Sequence, residues 1–264
     1  MRITFFGVRG STPVSGPEFA VAGGHTSCIG VSLDDGPPTL VLDAGTGLQR
    51  LAREFPGQPF RGTILLTHLH WDHLQGLPFC PPIDRDDAEV VLVQPAQGDP
   101  VRVLERSMSP PHFPIGPGLL RGRWRHVGLE PGRHRFDDCI VLARDVQHKG
   151  GRTYGFRVEA GGVAVCYVPD ALDDNDDVIE ELAAGADVFV RGTPFLATEH
   201  ERAEAFGHGT AEHTIALAQR AGVRRLVLTH HGPTRTDADL DAIAARLGVE
   251  LAREGLTLDV PSRH

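Results

Sequence analysis

Apolar residues along this chain come in short β-branched runs separated by Gly, Pro, Asp and Asn, a pattern that predicts strands alternating with a few helices. In the first part, the pattern predicts strands at residues 2–7, 27–34, 39–43 and 63–67, with a helix from Gly47 to Phe55 between the last two. A strand at 90–94 leads into a short helix at 101–106. The stretch from Ser109 to Pro117 predicts an irregular loop, because proline fixes φ and removes a backbone donor. The second part predicts strands near 123–127, 139–143, 153–158, 163–168, 187–191 and 225–229, and helices near 176–184, 210–221 and 237–247. Val163–Val168 and the run before it read as a hairpin across Glu159-Ala160-Gly161-Gly162. The acidic stretch from Asp173 to Asp177 suits a helix N-terminus. Together these elements predict one layered α/β domain over residues 1–264.

Polar residues with metal-binding chemistry stand where the apolar runs stop. Thr63-Ile64-Leu65-Leu66-Thr67 is followed at once by His68-Leu69-His70-Trp71-Asp72-His73, four ligand-capable side chains in six residues. Imidazole with carboxylate suits zinc, manganese or iron(II), and no thiolate lies close enough in sequence for a closed structural zinc site. Four donors exceed the needs of one ion with an open position, so the run points to two ions. More donors are then needed, and three strand ends supply them at His148, Asp170 and His230. The competing explanation is a polar loop in a chain with 14 histidines.

The run also matches the HxHxDH signature of the metallo-β-lactamase superfamily, and His148, Asp170 and His230 follow in the order of that superfamily's later ligands. The likeness extends over nearly the whole chain. It is strongest toward the branch holding tRNA 3′-processing endonucleases (RNase Z) and cyclic phosphodiesterases. Gly207-His208-Gly209-Thr210, the helix after it and the strand ending at His230 resemble that branch's GH(S)T–helix–strand–His block, with Gly209 where Ser is usual. The openings Gly7-Val8-Arg9-Gly10-Ser11-Thr12-Pro13 and Gly23-Gly24-His25-Thr26-Ser27-Cys28 resemble bacterial members, with His25 where Asn is more familiar.

This resemblance implies a four-layer αββα sandwich. It implies one divalent ion held by His68, His70 and His148, a second held by Asp72, His73 and His230, and Asp170 bridging them. Zinc is the first expectation for both ions, with manganese or iron as alternatives. A dinuclear centre activates a hydroxide near neutral pH and takes up charge on phosphoryl oxygens. Asp72 and His208 are the expected catalytic residues, with His208 the general acid that protonates the leaving oxygen. Asp43 is expected to orient a ligand histidine through its other ring nitrogen, and Thr210 to cap the helix after it. His25 is expected either to face the site or to hydrogen-bond locally. His112 and Phe113 are candidates for the substrate mouth, and Glu199 or Glu201 for a partner of His208. His200, His213 and His231 read as structural.

Composition narrows the substrate. The net charge is −9 and the sequence pI about 5.8, which argues against broad electrostatic binding of nucleic acid. Lys149 is the sole lysine. The alternating Arg121, Arg123, Arg125, Arg133 and Arg135 read as a solvated strand face or as an attractor of phosphate. RNase Z-like tRNA processors commonly carry a substrate-gripping arm in the interval that here separates His148 from Asp170, and a single hairpin fills it in this chain. The expectation is therefore a phosphodiesterase acting on a small phosphodiester, a cyclic nucleotide or cyclic sugar phosphate. A tRNA 3′-processing endonuclease and a hydrolase of carboxylic esters, thioesters or lactones are the alternatives. The four cysteines are far apart and form no CxxC, which predicts reduced core thiols. The first residues lack a secretory leader's pattern, and no apolar run reaches membrane-spanning length. The expected setting is cytoplasmic with no membrane partner, and the family resemblance, dimers being common among its members, implies a homodimer as one possible assembly.

Overall fold

The computed structural model describes residues 1–136 and 138–261. Fourteen strands form two seven-stranded sheets. The first sheet holds β1 (Arg2–Gly7), β2 (Cys28–Ser32), β3 (Leu40–Leu42), β4 (Arg61–Leu65), β5 (Glu89–Pro95), β6 (Arg123–Leu129) and β14 (Thr257–Asp259), in the order β14-β1-β2-β3-β4-β5-β6. The second holds β7 (Gly132–Phe136), β8 (Cys139–Val146), β9 (Thr153–Ala160), β10 (Val163–Val168), β11 (Val188–Gly192), β12 (Leu226–Thr229) and β13 (Glu250–Leu251), in the order β13-β12-β11-β10-β9-β8-β7. Strands β3 to β6 run parallel, as do β10 to β13, while the remaining neighbours are antiparallel.

Both faces of each sheet are covered, which explains why the central strands read as unbroken apolar runs. Alternate residues of one strand go to different cores. Ile3, Phe5, Ile29, Val31, Leu40, Leu42 and Leu65 of the first sheet meet Val141, Phe156, Val165, Tyr167 and Val190 of the second in the central core. Val41, Ile64, Leu66, Val90 and Leu92 point the other way, against Leu48 and Leu51 of α1 (Leu48–Leu51) and the loops around Leu77 and Ile83. Cys166, Val168 and Phe189 likewise face Ile179 and Leu182 of α4 (Asp176–Ala183) and Leu217 of α6 (Ala211–Arg220). The layering is therefore α-β-β-α. The remaining helices are α2 (Trp71–Leu74), α3 (Pro100–Glu105), α5 (His200–Phe206) and α7 (Asp237–Leu247). Among the described residues no helix is long and apolar enough to cross a membrane.

The interval after His148 is a single tight hairpin. Strands β9 and β10 pair antiparallel, and only Gly161 and Gly162 lie between them, at φ 56° and 75°. Left-handed φ at both turn positions is the two-residue hairpin geometry that glycine admits without Cβ strain.

Candidate metal centre

The seven candidate ligands come from one end of the two sheets. His68 follows β4 by three residues, His148 follows β8 by two, Asp170 follows β10 by two, and His230 follows β12 directly. In α2, Asp72, His73 and Leu74 turn into the molecule while Trp71 stays outside. His68 Nε2 and His148 Nε2 lie 3.4 and 3.5 Å from Asp170 Oδ2, and His70 Nδ1 lies 3.3 Å from His148 Nε2. On the other side, His73 Nε2 is 3.3 Å from Asp72 Oδ2 and 3.3 Å from His230 Nε2. His230 Nε2 is 3.1 Å from Asp72 Oδ2. Asp170 touches both groups, for its Oδ2 also lies 3.3 Å from His73 Nε2 and its Oδ1 lies 3.1 Å from His230 Nε2.

These donors fit divalent ions. Nitrogen and oxygen ligands at about 2.0–2.2 Å around a tetrahedral ion stand about 3.4 Å apart, close to the spacings within each group. His68 Nε2 and Asp170 Oδ1 are buried without a hydrogen-bond partner, an expensive arrangement unless something charged is held there. Burial opposes ionisation of Asp170, but the imidazoles of His230, His73 and His208 outweigh it and hold the carboxyl well below the usual range. Burial likewise opposes a charge on His73, yet Asp72, Asp43 and Asp170 raise it well above an ordinary histidine. His68 and His70 move the other way, lowered chiefly by burial, which favours the neutral imidazole that binds a metal ion.

The outer nitrogens of the ligand histidines are tied down. Asp43 is fully buried and accepts from Thr67 N (2.7 Å), Thr67 Oγ1 (3.0 Å), Tyr167 Oη (2.8 Å) and His73 Nδ1 (2.8 Å). A carboxylate only accepts, so His73 carries its proton on Nδ1 and presents Nε2 inward. The Gly207 carbonyl does the same for His148, whose Nδ1 donates to it at 2.6 Å. The hydroxyl of Thr67 lies 3.1 Å from His68 Nδ1. A further contact escaped sequence reading: the backbone N–H of Ser11, at φ 64°, donates to Asp72 Oδ2 at 2.7 Å. Only the resemblance of the opening glycine-rich loop pointed toward that region.

His208 is brought into the same cluster, with Nδ1 3.8 Å from Asp170 Oδ1 and its ring against those of His148 and His230. Burial lowers its imidazole to about 3, with Asp170 acting in the opposite sense. Of its two expected glutamate partners, Glu199 pairs with Arg235 and accepts from Leu196 N instead. Thr210 occupies the cap position of α6, but its hydroxyl donates to Asp173 at 3.1 Å rather than accepting from the helix. The departure at Gly209 has a steric cause: a Cβ there would meet Asp173 Oδ1 at 2.2 Å and Arg191 Nη2 at 2.9 Å. A serine there would make the ends of these two side chains shift.

Other candidates stay away from the cluster. Through its backbone, His25 accepts from Val8 N and Arg9 N and donates to Glu254, the local option of the two expected. Phe113 packs edge-on against Phe79, and neither it nor His112 lines the recess over the site, so that expectation fails. Arg121, Arg123 and Arg133 pair with Asp84, Glu89 and Glu159, as a solvated face would. His213 pairs with Asp176 and His231 donates to the Ala252 carbonyl, both structural. The recess over the cluster has a volume of about 400 Å³ and is lined by Ser11, Leu69, His70, Trp71, Phe206 and His208 among others. A larger cavity of about 590 Å³, near Arg61, Glu89 and Arg123, sits at the opposite end of β4 to β6 and, among the described residues, has no ligand cluster.

Comparison with known proteins gives this geometry a family. The β-lactamase superfamily domain matches residues 39–231, a span that holds all seven candidate ligands and His208. A ribonuclease Z from Salinispora arenicola is 37% identical over 270 residues, covering 85% of this chain and 87% of its own length. One from Methanothermobacter thermautotrophicus is 25% identical over 317 aligned positions, covering 98% and 97%. An alignment longer than this chain means that the relative carries insertions absent here. Among solved structures, the metallo-β-lactamase fold protein YhfI from Bacillus subtilis superimposes with a TM-score of 0.76 at 18% identity, covering 98% of this chain and 99% of its own.

Proposed function

The chain belongs to the metallo-β-lactamase superfamily, in its RNase Z-like branch, and is a metal-dependent hydrolase; we propose that it cleaves small phosphodiesters, cyclic nucleotides or cyclic sugar phosphates. The observation that carries the phosphodiester reading is the place of His208, buried against Asp170, His148 and His230 at the edge of the ligand cluster. The whole of residues 1–264 acts as one domain.

His68, His70 and His148 would hold one divalent ion, Asp72, His73 and His230 the other, and Asp170 would touch both, with zinc first on donor type. Bound there, such ions supply Lewis acidity toward phosphoryl oxygens and an activated water at neutral pH. The chain's own residues do the rest. Asp43 and the Gly207 carbonyl fix the tautomers of His73 and His148, and Ser11 N–H fixes Asp72. His208, whose imidazole burial lowers, stands with Nδ1 3.8 Å from Asp170 Oδ1, and it would give a proton to the leaving oxygen when a bound phosphate anion favours its charged form. The short β9–β10 hairpin leaves no arm to grip a large RNA, which supports the small substrate. The four buried cysteines, widely spaced in sequence, suit a reducing, cytoplasmic setting, and the assembly we propose is a homodimer.

The test is metal content together with turnover of bis(p-nitrophenyl) phosphate, a cyclic nucleotide and a carboxylic ester. Asp72→Ala should lose both metal and activity. His208→Ala should keep its metal and lose about 10²–10⁴ in kcat. The curated relatives named ribonuclease Z favour a second reading, pre-tRNA 3′ cleavage. Efficient pre-tRNA cleavage without small-substrate turnover would replace the first reading with the second.

A further inference from the structure

We propose that Trp71 and Phe206 form an aromatic platform that binds the base of a nucleotide, so that the preferred substrates are nucleoside phosphodiesters rather than sugar phosphates lacking a base. The proposal rests on the phosphodiesterase reading and narrows its substrate. Trp71 lies between His70 and Asp72 in the chain, yet it is 72% exposed while the next three residues are buried. Among the described residues no ring stacks on it and its indole N–H makes no hydrogen bond. Phe206 is 59% exposed, ends α5 and stands two residues before His208. It is backed by Phe195, with ring centroids 6.2 Å apart and planes at 13°, which leaves the outer face of Phe206 free.

Both rings line the recess that also exposes His70, Asp72, His148, Asp170 and His208. Its volume of about 400 Å³ falls in the range of small-molecule sites, roughly 300–1,000 Å³. Away from the ligand cluster, the lining offers Leu69, Trp71, Phe206 and one hydroxyl, that of Ser11. Among the described residues no Arg, Lys, Asn or Gln lines the recess to read sugar hydroxyls or to clamp a second phosphate. What the recess does offer is π-face, and every base has a π-face to match it. A phosphate at the cluster would leave the attached base over these rings.

Only two tryptophans are present, Trp71 and Trp124, so the platform can be read optically in a Trp124→Phe background. Zinc-loaded protein would be titrated with adenosine 5′-monophosphate and, separately, with ribose 5-phosphate, which differs by lacking the base. The expected result is saturable quenching of Trp71 by the nucleotide alone. Binding of the nucleotide by Trp71→Ala protein, followed by calorimetry, should be weaker by between about 5- and 150-fold, the range for one lost stacking partner. Trp71→Phe should recover most of that loss, and Phe206→Ala should weaken the same ligand independently. Equal affinity for both phosphates, without quenching, overturns the platform. If bis(p-nitrophenyl) phosphate is still hydrolysed in that case, the phosphodiesterase reading survives it; if not, both fall together.

Discussion

At the residue scale, the ligand run was legible because six consecutive positions carry the whole signal, and His148, Asp170 and His230 were legible because each follows an apolar run. His25 and His112 looked similar on paper and lie elsewhere, since residue type and spacing cannot say which way a ring points. Asp43 is the residue on which orientation of the centre turns most. Four donors converge on its two oxygens, and replacing one oxygen by an amide leaves at least one of them facing an N–H instead. Asp43→Asn should therefore disturb the tautomer of His73 and leave a buried polar clash. Zinc affinity measured by chelator competition should fall about 10- to 100-fold. An affinity equal to the wild type would mean that His73 is oriented by something else.

At the element scale, β1 and β10 were predicted to the residue and most other strands to within two, with β8 running three residues further than predicted, while β7, β13, β14 and α5 were not predicted. The edge strand β7 alternates exposed arginines with half-buried residues and has one neighbour, β8, so little burial distinguishes it from a loop. Strands β13 and β14, of two and three residues, and helix α5 carry too little periodicity to be seen. The helix predicted from Gly47 to Phe55 is cut to Leu48–Leu51 plus a 3-10 turn, because Pro56 disfavours helical backbone just before it. Element packing also sets the turn that carries Asp170. A Cβ on Gly192, at the end of β11, would lie 1.7 Å from the Pro169 carbonyl, a backbone atom with nowhere cheap to move. Gly192→Ala should destabilise by about 1–3 kcal/mol and lower zinc occupancy, whereas Gly118→Ala, with open space around its Cβ and no left-handed φ, should leave occupancy intact. Equal occupancy in the two variants would show that the Asp170 turn tolerates displacement.

At the scale of the whole molecule, the layered class was legible from alternating apolar runs, but the pairing of the last strand with the first was not, since nothing local marks a contact spanning Ile3 to Leu258. Burial of acids that ionise at high pH gives the whole fold a direction of failure. Burial pushes the Cys80 thiol up to about 12 and raises Cys28 and Cys166, and it pushes the Tyr154 phenol up to about 12. The unfolded chain ionises these groups from ordinary values of 9.0 and 10.0. Raised values in the fold mean that their contribution is complete below about pH 9 and drains away as pH rises toward 12, by up to about 1.4 kcal/mol per group per pH unit. The melting temperature should drop steadily between roughly pH 9 and 10.5, and a flat profile there would contradict these shifts. The chain builds its two sheets almost in succession, the first ending at Leu129 and the second beginning at Gly132, with only β14 handed back. His68, His70, Asp72 and His73 belong to the earlier half, and His148, Asp170 and His230 to the later one. Neither half owns a complete coordination set, so metal capture would serve as a checkpoint of assembly: full loading certifies that two separately made layers have found each other.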